Sequence, residues 1–530
     1  MKRISYNIRY FATAIIMCGA LTVAAQDRKP ASYVPTPAGV EYYKLRNIWM
    51  NSVNPAGAIL DNPLRYSTLE AGHEWTDGDF HLPQYGKKEN ALNIHTDGMA
   101  VLRGFVAWGS FDYTRQTQKD ARYKLSTTDL RRKMPYYTID PEISDWKNQV
   151  FDMSFRLAGR KKLWNAFYYG VDGHYAATSS AKQHNILSKN RIMDLTVRPG
   201  ILFEINPSHH IGLTFQYDMW MEESANDTPG SNFGTQKDYI LWVATGLGNV
   251  TDRVVTLSPS REQDYQGHTV GGGVQYGFTR NNVALVLSGK YGYRVERCNK
   301  DFTTPETNGM VKENLWAGRL QLNFFTACFA YLFDVNYLNS QMDGIQYVMR
   351  YDEELQKNVP IYSSVRSKYD QQQISLTYDM VKQGYGNLKG EYDWKINAGV
   401  SYEKLDDTYL LPVSEFLVEN IRFDLGGKMN FRLGERSRLL AGALVSMNRN
   451  LDGHYIYGGN NPDYPSVTQI GEELAFLSSD YMAYNASCTF SIPVGSTTNA
   501  YVKADYTYMK PSDSAYGKRQ FVKVSLGCNF

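Results

Sequence analysis

Beyond Ala25 this sequence has no run of about eighteen apolar residues, so no helix in it is able to cross a bilayer. Cysteine is sparse, five in 530 residues, and Cys18 lies close to the start. The other four, Cys298, Cys328, Cys488 and Cys528, lack close metal-ligand spacing and read as small apolar fillers on separate strands. A Cys488–Cys528 bridge would need two end strands to approach, and spacing alone does not fix connectivity. Net charge is only +2, which gives no basis for nucleic-acid binding. The nine histidines are scattered, and no Gly-x-Ser-x-Gly elbow, His-Glu-x-x-His pair or phosphate loop stands out. His209 and His210 fall in an expected turn, and His174 and His268 near expected outer strand ends, where polar surface is their role. A membrane hydrolase would need a Ser/His or Asp/His constellation that is not legible here. No enzyme activity, cofactor or metal is expected.

What is present begins with a leader. Lys2, Arg3 and Arg9 precede the mostly apolar stretch Phe11 to Ala24, and Val23-Ala24-Ala25 offers small residues for cleavage before Gln26. Residues 1–25 therefore read as a secretory signal peptide that sends the chain out of the cytoplasm. Met17 precedes Cys18 where a lipoprotein signal wants a small residue, so no lipid anchor is expected. A mean hydropathy of −0.44 would suit a soluble protein. A transmembrane barrel gives the same value, because half of each strand faces a polar lumen. The 40 Tyr, 23 Phe and 9 Trp suit its aromatic girdles.

Period-two alternation dominates the rest. Met193, Leu195, Val197, Ile201 and Phe203 alternate with Asp194, Thr196, Arg198, Gly200 and Glu204. After a turn at Asn206 to His209, Ile211, Leu213, Phe215, Tyr217 and Met219 alternate with Gly212, Thr214, Gln216 and Asp218. Such alternation separates an apolar face from a polar one, and each run has the length a tilted strand needs to cross a bilayer. The final run sets Val522, Val524, Leu526, Cys528 and Phe530 against Lys523, Ser525, Gly527 and Asn529. About eighteen such runs follow Tyr66, with 14–16 as the alternative count. Short connections, such as Asp97 to Ala100, Ile205 to His209 and Asn281-Asn282, alternate with long ones. The long ones include Gln116 to Lys147, Glu222 to Asp264, Asn339 to Lys368 and Leu451 to Asp480. Short turns on one side and long loops on the other are the habit of outer-membrane barrels. In hydrocarbon an unpaired backbone group costs several kcal/mol, so the last strand is expected to pair with the first. The expected fold is all-β: a closed antiparallel transmembrane barrel over residues 66–530.

Residues 26–65 precede the strands. Tyr42, Leu45, Trp49 and Met50 form a weak helical stripe, and Asn54-Pro55-Ala56-Gly57 starts a turn or helix. This segment is expected either to plug the lumen or to hang in the periplasm. The candidate lumen lining is Arg156, Arg198, Asp218, Arg294, Arg319, Asp334, Asp393, Arg422, Asp424, Lys428 and Arg432. Both signs occur in similar numbers, which fits a selectivity path or a self-neutralising wall.

Phe530, Asn47-Ile48-Trp49, Asn54-Pro55-Ala56-Gly57 and Gly78 to Gly86 carry a resemblance to Bacteroidota outer-membrane β-barrels of uncharacterised families. The aromatic carboxy-terminus resembles the assembly signal of such proteins and implies the barrel-assembly machinery as a partner, alongside outer-membrane lipid. Asn54-Pro55-Ala56 is also similar to the start of long-chain fatty-acid channels, whose N-terminal segment plugs the barrel. The resemblance implies a channel or transporter for a small solute in the outer membrane. The alternative is a non-transporting barrel that binds or anchors a surface lipoprotein or secretion partner.

Overall fold

The computed structural model describes residues 35–61, 63–125, 134–160, 166–227, 240–255, 261–300, 306–384, 390–433, 437–494, 498–513 and 516–530. The leader read at 1–25, and the turns read at 434–436 and 495–497, fall outside the described residues.

Eighteen strands form one antiparallel sheet. In chain order they are β1 (Tyr66–Gly78), β2 (Lys88–Leu102), β3 (Phe105–Ala121), β5 (Ser144–Arg160), β6 (Phe167–Lys182), β7 (Leu187–Asn206) and β8 (His209–Asp227). Then come β11 (Arg261–Arg280), β12 (Val283–Lys300), β13 (Glu306–Phe325), β14 (Phe329–Asp352), β15 (Lys357–Gln383) and β16 (Tyr392–Leu410). β17 (Val413–Leu433), β18 (Ser437–Ile456), β19 (Tyr481–Val494), β20 (Thr498–Pro511) and β21 (Arg519–Asn529) complete the wall. The sheet closes where β21 pairs with β1, from Thr68↔Asn529 to Gly78↔Arg519. Phe530 and Ser67 extend that seam by exchanging backbone hydrogen bonds of 2.9 and 3.2 Å. No edge is left, as hydrocarbon demands.

The alternation decides the faces. Ile211, Leu213 and Phe215 are exposed on the outer surface, while Gly212 is buried and Thr214 and Gln216 are half-buried within. Three short strands, β4 (Tyr137–Ile139), β9 (Ile240–Gly246) and β10 (Asn249–Val255), form a separate sheet in the long loops. With helix α2 (Pro465–Leu477) they pack against inward residues at the loop end of the barrel: Leu247 and Ile470 meet Leu405, Tyr409, Phe416 and Val418. Ser466 Oγ donates to the Gly248 carbonyl at 2.6 Å and fixes helix to hairpin.

Several sequence expectations are corrected. Asp97-Gly98 is not a turn but lies inside β2, opposite Ser110 and Gly109; the reversal comes at 103–104. Asp97 stays in the strand because its carboxylate is bonded inside the barrel by Tyr66 Oη at 2.8 Å and Lys44 Nζ at 2.8 Å. The expected loop from Asn339 to Lys368 is instead two strands of 24 and 27 residues, laddered from Phe329↔Lys382 to Asp352↔Lys357. A strand needs only about 9–11 residues to cross a bilayer, so this hairpin rises well beyond it. The four described cysteines form no disulfide, and β20 separates Cys488 on β19 from Cys528 on β21. β13 and β14 are joined by a turn in which Thr326 Oγ1 accepts from Phe329 N at 3.0 Å.

Candidate functional site

The chain before β1 lies inside the turn end of the barrel. Helix α1 (Pro37–Arg46) starts at Thr36, whose hydroxyl accepts from Gly39 N at 3.1 Å, and Pro37 suits the first helical position. A short 3-10 helix, Pro55–Ile59, starts at Asn54, whose side chain accepts from Ala56 N at 3.0 Å. Ten residues of helix are marginal alone, and packing against the wall holds these pieces. Tyr42 is buried among Ala330, Leu332, Val381, Tyr392 and Leu440, with Leu45 packed alongside. Trp49 and Ala56 meet Tyr168, Leu202, Ala284 and Val286. Tyr43 meets Tyr66, Met99 and Val106, and Met50 packs beside them.

A run of glycines makes the close approach possible. Gly170, Gly200 and Gly212 face inward on β6, β7 and β8, and Gly170 and Gly200 are directly paired. A Cβ at Gly200 would stand 2.4 Å from Asn54 Oδ1, and one at Gly277 on β11 would stand 1.9 Å from the Trp49 ring. This socket escaped the sequence reading, although four glycines on the polar phase of nearby strands are visible in the alternation. Asn54 then reaches the wall: its Nδ2 donates to the Ile201 carbonyl at 2.8 Å, and its N–H to Gln275 Oε1 at 3.1 Å.

Charged side chains grip the segment elsewhere. Arg156 on β5 is held by Asp172 through two bonds of 2.6 and 2.7 Å and donates its third nitrogen to the Met50 carbonyl. Arg319 on β13, paired with Asp334, donates to the next carbonyl, Asn51, at 2.6 Å. Across the lumen Glu41 meets Lys395 Nζ at 2.7 Å, Lys428 Nζ at 3.1 Å and the Tyr392 hydroxyl at 3.0 Å. Burial pushes the Glu41 carboxyl up, but the two ammonium groups outweigh it and hold it below its usual range. Asp61 Oδ2 accepts from Met50 N at 2.6 Å. Burial raises the Asp61 carboxyl to about 7, against the Met50 and Trp49 N–H donors and the charges of Arg46 and Arg156.

The remaining expected lumen residues fall as follows. Arg198 and Asp218 face inward on β7 and β8; Arg294 pairs with Glu296 and Glu313 at 2.6 and 2.7 Å nearer the loop end. Arg422 and Asp424 pair at 2.9 Å on β17. Asp393 sits at a register shift and pairs with Lys382 at 3.5 Å. Its neighbour Tyr392, placed outside by simple alternation, turns inward there because the shift reverses the phase. Arg432 is exposed near the turn end of β17. His174 is not outer surface: it lines the lumen, 3.1 Å from Asp152.

Between the N-terminal segment and the wall of β1 to β7 lies a cavity of about 360 Å³. Lys44, Asn47 and Met50 bound it on one side, and Asp97, Arg156 and Arg198 on the other.

Residues 55–530 match the model of the Family of unknown function (DUF6850). The chain belongs to that family. No curated relative matches the DUF6850 chain. Among solved structures it is similar to the ferric preacinetobactin receptor BauA of Acinetobacter baumannii: 8% identity, TM-score 0.40, covering 89% of this chain and 80% of that one. It is likewise similar to the alcaligin outer-membrane receptor FauA of Bordetella pertussis: 8% identity, TM-score 0.41, covering 89% and 77%. The outer membrane transporter YddB of Escherichia coli also matches, at 7% identity and TM-score 0.39, covering 88% and 81%.

Proposed function

We propose that this DUF6850 barrel passes a small solute across the outer membrane, and that residues 35–61 act as its hatch. One observation carries the reading. The segment is held in part by guanidinium groups on two successive carbonyls and by two lysines on one carboxylate, contacts that break without dismantling the wall. A barrel of eighteen strands is wide enough for an aqueous passage unless something fills it, and this segment fills its turn end. Such a hatch is the feature implied by the similarity of Asn54-Pro55-Ala56 to fatty-acid channels. The candidate lining residues Arg156, Arg319 and Lys428 then work as latches on the segment and its Glu41, while on the wall above Arg294 is neutralised by Glu296 and Glu313, and Arg422 by Asp424.

The test is conductance in a planar bilayer. Deleting Asp27 to Ala56 should leave a folded, heat-modifiable barrel with a several-fold higher conductance. A folded deletion variant with unaltered conductance rejects the hatch and places the seal in the inward-packed loops. Silence of both proteins would favour the binding or anchoring role, to which the tall β14–β15 hairpin, with Leu355, Ile361 and Tyr362 exposed near its tip, lends an observation of its own.

A further inference from the structure

The outer surface carries basic side chains that the wall leaves without counter-charge. Lys147 on β5 and Lys189 on β7 both stand directly opposite Ala181 on β6, one strand away on either side. Two strand spacings put their Cα atoms about 10 Å apart. One register nearer the turn end, Ser179 lies between Gln149 and Arg191, and Arg115 on β3 stands opposite Gln149. Lys147, Lys189 and Arg191 are exposed and alternate with buried Trp146, Asn148, Ser188 and Asn190, so they point outward. Among the described residues Arg115, Lys147 and Lys189 form no ion pair, and Arg191 comes only to 3.9 Å from Glu223. Asp145, two residues from Lys147 toward the loop end, accepts instead from the Asp120 N–H at 3.4 Å. The next register down is apolar: Tyr113, Phe151, Ala177 and Met193 lie in line, with the Tyr113 and Phe151 rings 5.0 Å apart. A tilted strand crosses a bilayer in about 9–11 residues, and Arg115 stands ten residues past Phe105 at the turn end of β3. Long loops mark the external side, so these cations lie at the headgroup level of the outer leaflet. Across the barrel at similar height the charges are mixed: Lys404 on β16 lies 3.4 Å from both Asp406 and Glu419.

We propose that this face binds the phosphate-bearing headgroup of an outer-leaflet glycolipid. The headgroup sits over β6, between Lys147 on one side and Lys189 and Arg191 on the other. Ala177, Ser179 and Ala181 are short, so β6 floors a shallow trough between the longer side chains of its two neighbours. Ammonium and guanidinium groups only donate and a phosphate oxygen only accepts, so charge and hydrogen bonding agree. The lysine and arginine stems lie along the apolar surface while their tips reach the headgroup. The acyl chains then cover the apolar rows below, from Tyr113 and Phe151 downward. A neutral headgroup would leave three cations without counter-charge, and a face meant only for water would mix signs, as around Lys404. Binding here does not depend on the hatch.

The experiment is native mass spectrometry of the full chain in detergent. The probes are bisphosphorylated lipid A, the same lipid A with its phosphates removed, and phosphatidylglycerol. The barrel should retain bisphosphorylated lipid A and hold the dephosphorylated form about tenfold more weakly, the scale two basic side chains give at a charged surface. That comparison needs no substitution. Lys147→Gln combined with Lys189→Gln should weaken retention of lipid A by a similar factor, and Lys404→Gln should leave it unchanged, each variant first shown to fold by heat-modifiable migration. Equal retention of the dephosphorylated lipid, undiminished retention by the folded double variant, or an equal loss in Lys404→Gln overturns the proposal. Phosphatidylglycerol held as tightly as lipid A overturns it too, since the face would then take any phosphate-bearing lipid.

Discussion

At the scale of single residues, the side of the wall decides what a position tolerates. Leu213 is 52% exposed on the outer surface, four residues past the start of β8, where lipid is the solvent. An arginine there costs about 2–4 kcal/mol near the bilayer midplane. Thr214, its neighbour, faces the lumen, where a charge keeps its water. Leu213→Arg should therefore reduce the folded, heat-modifiable band sharply, and Thr214→Arg only slightly; equal folding yields would reject the facing assignment. The same alternation that made these two residues legible misplaced Tyr392. A one-residue shift against Gln383 reverses phase, and no local sequence signal marks it.

At the scale of elements, the proposed hatch is a set of short helical pieces whose polar anchors titrate. The Asp61 carboxyl, at the end of the segment, stands at about 7, against 3.8 when solvated. The docked hatch thus binds this proton more tightly than a released one. Docking is strongest below 3.8, weakens as pH rises toward 7, and levels off above it. Glu41 acts in a different window, since its lowered carboxyl loses its lysine contacts only on acidification below the ordinary 4.5. Channel opening should therefore increase between pH 5 and pH 7 in single-channel recordings, and Asp61→Asn should flatten that dependence; a profile unchanged by the substitution would remove Asp61 from the latch. The stripe Tyr42, Leu45, Trp49 and Met50 was readable before folding, and these residues share the lumen core with wall residues. The glycine socket was not readable as a site, because Trp49 and Asn54 lie more than a hundred residues from it, and no local motif marked Asp61, although its partner Met50 is close in the chain.

At the scale of the whole molecule, one seam holds the cylinder shut. The β1–β21 ladder runs from Thr68↔Asn529 to Gly78↔Arg519, and Val524 sits within it, opposite His73 on one side and Ala504 on the other. A proline there removes a ladder hydrogen bond where no water replaces it. Val524→Pro should abolish the heat-modifiable species and leave the protein degraded or aggregated. Normal yields would show that the seam tolerates a break hydrocarbon ought to forbid.

A closed antiparallel barrel of about eighteen strands paired in chain order follows from the sequence alone, as do most of the inward and outward faces, with Tyr392 the exception. Period-two alternation and connection length are local quantities, and closure is forced by a solvent that satisfies no backbone group. Tertiary structure alone decided three things: that Asn339 to Lys368 continues as strand, that β9, β10 and α2 fold back over the loop end, and that Arg156 and Arg319 meet the carbonyls of Met50 and Asn51. Each depends on which distant segments share the lumen, and a bond between residues 156 and 50 has no signature in either stretch of chain.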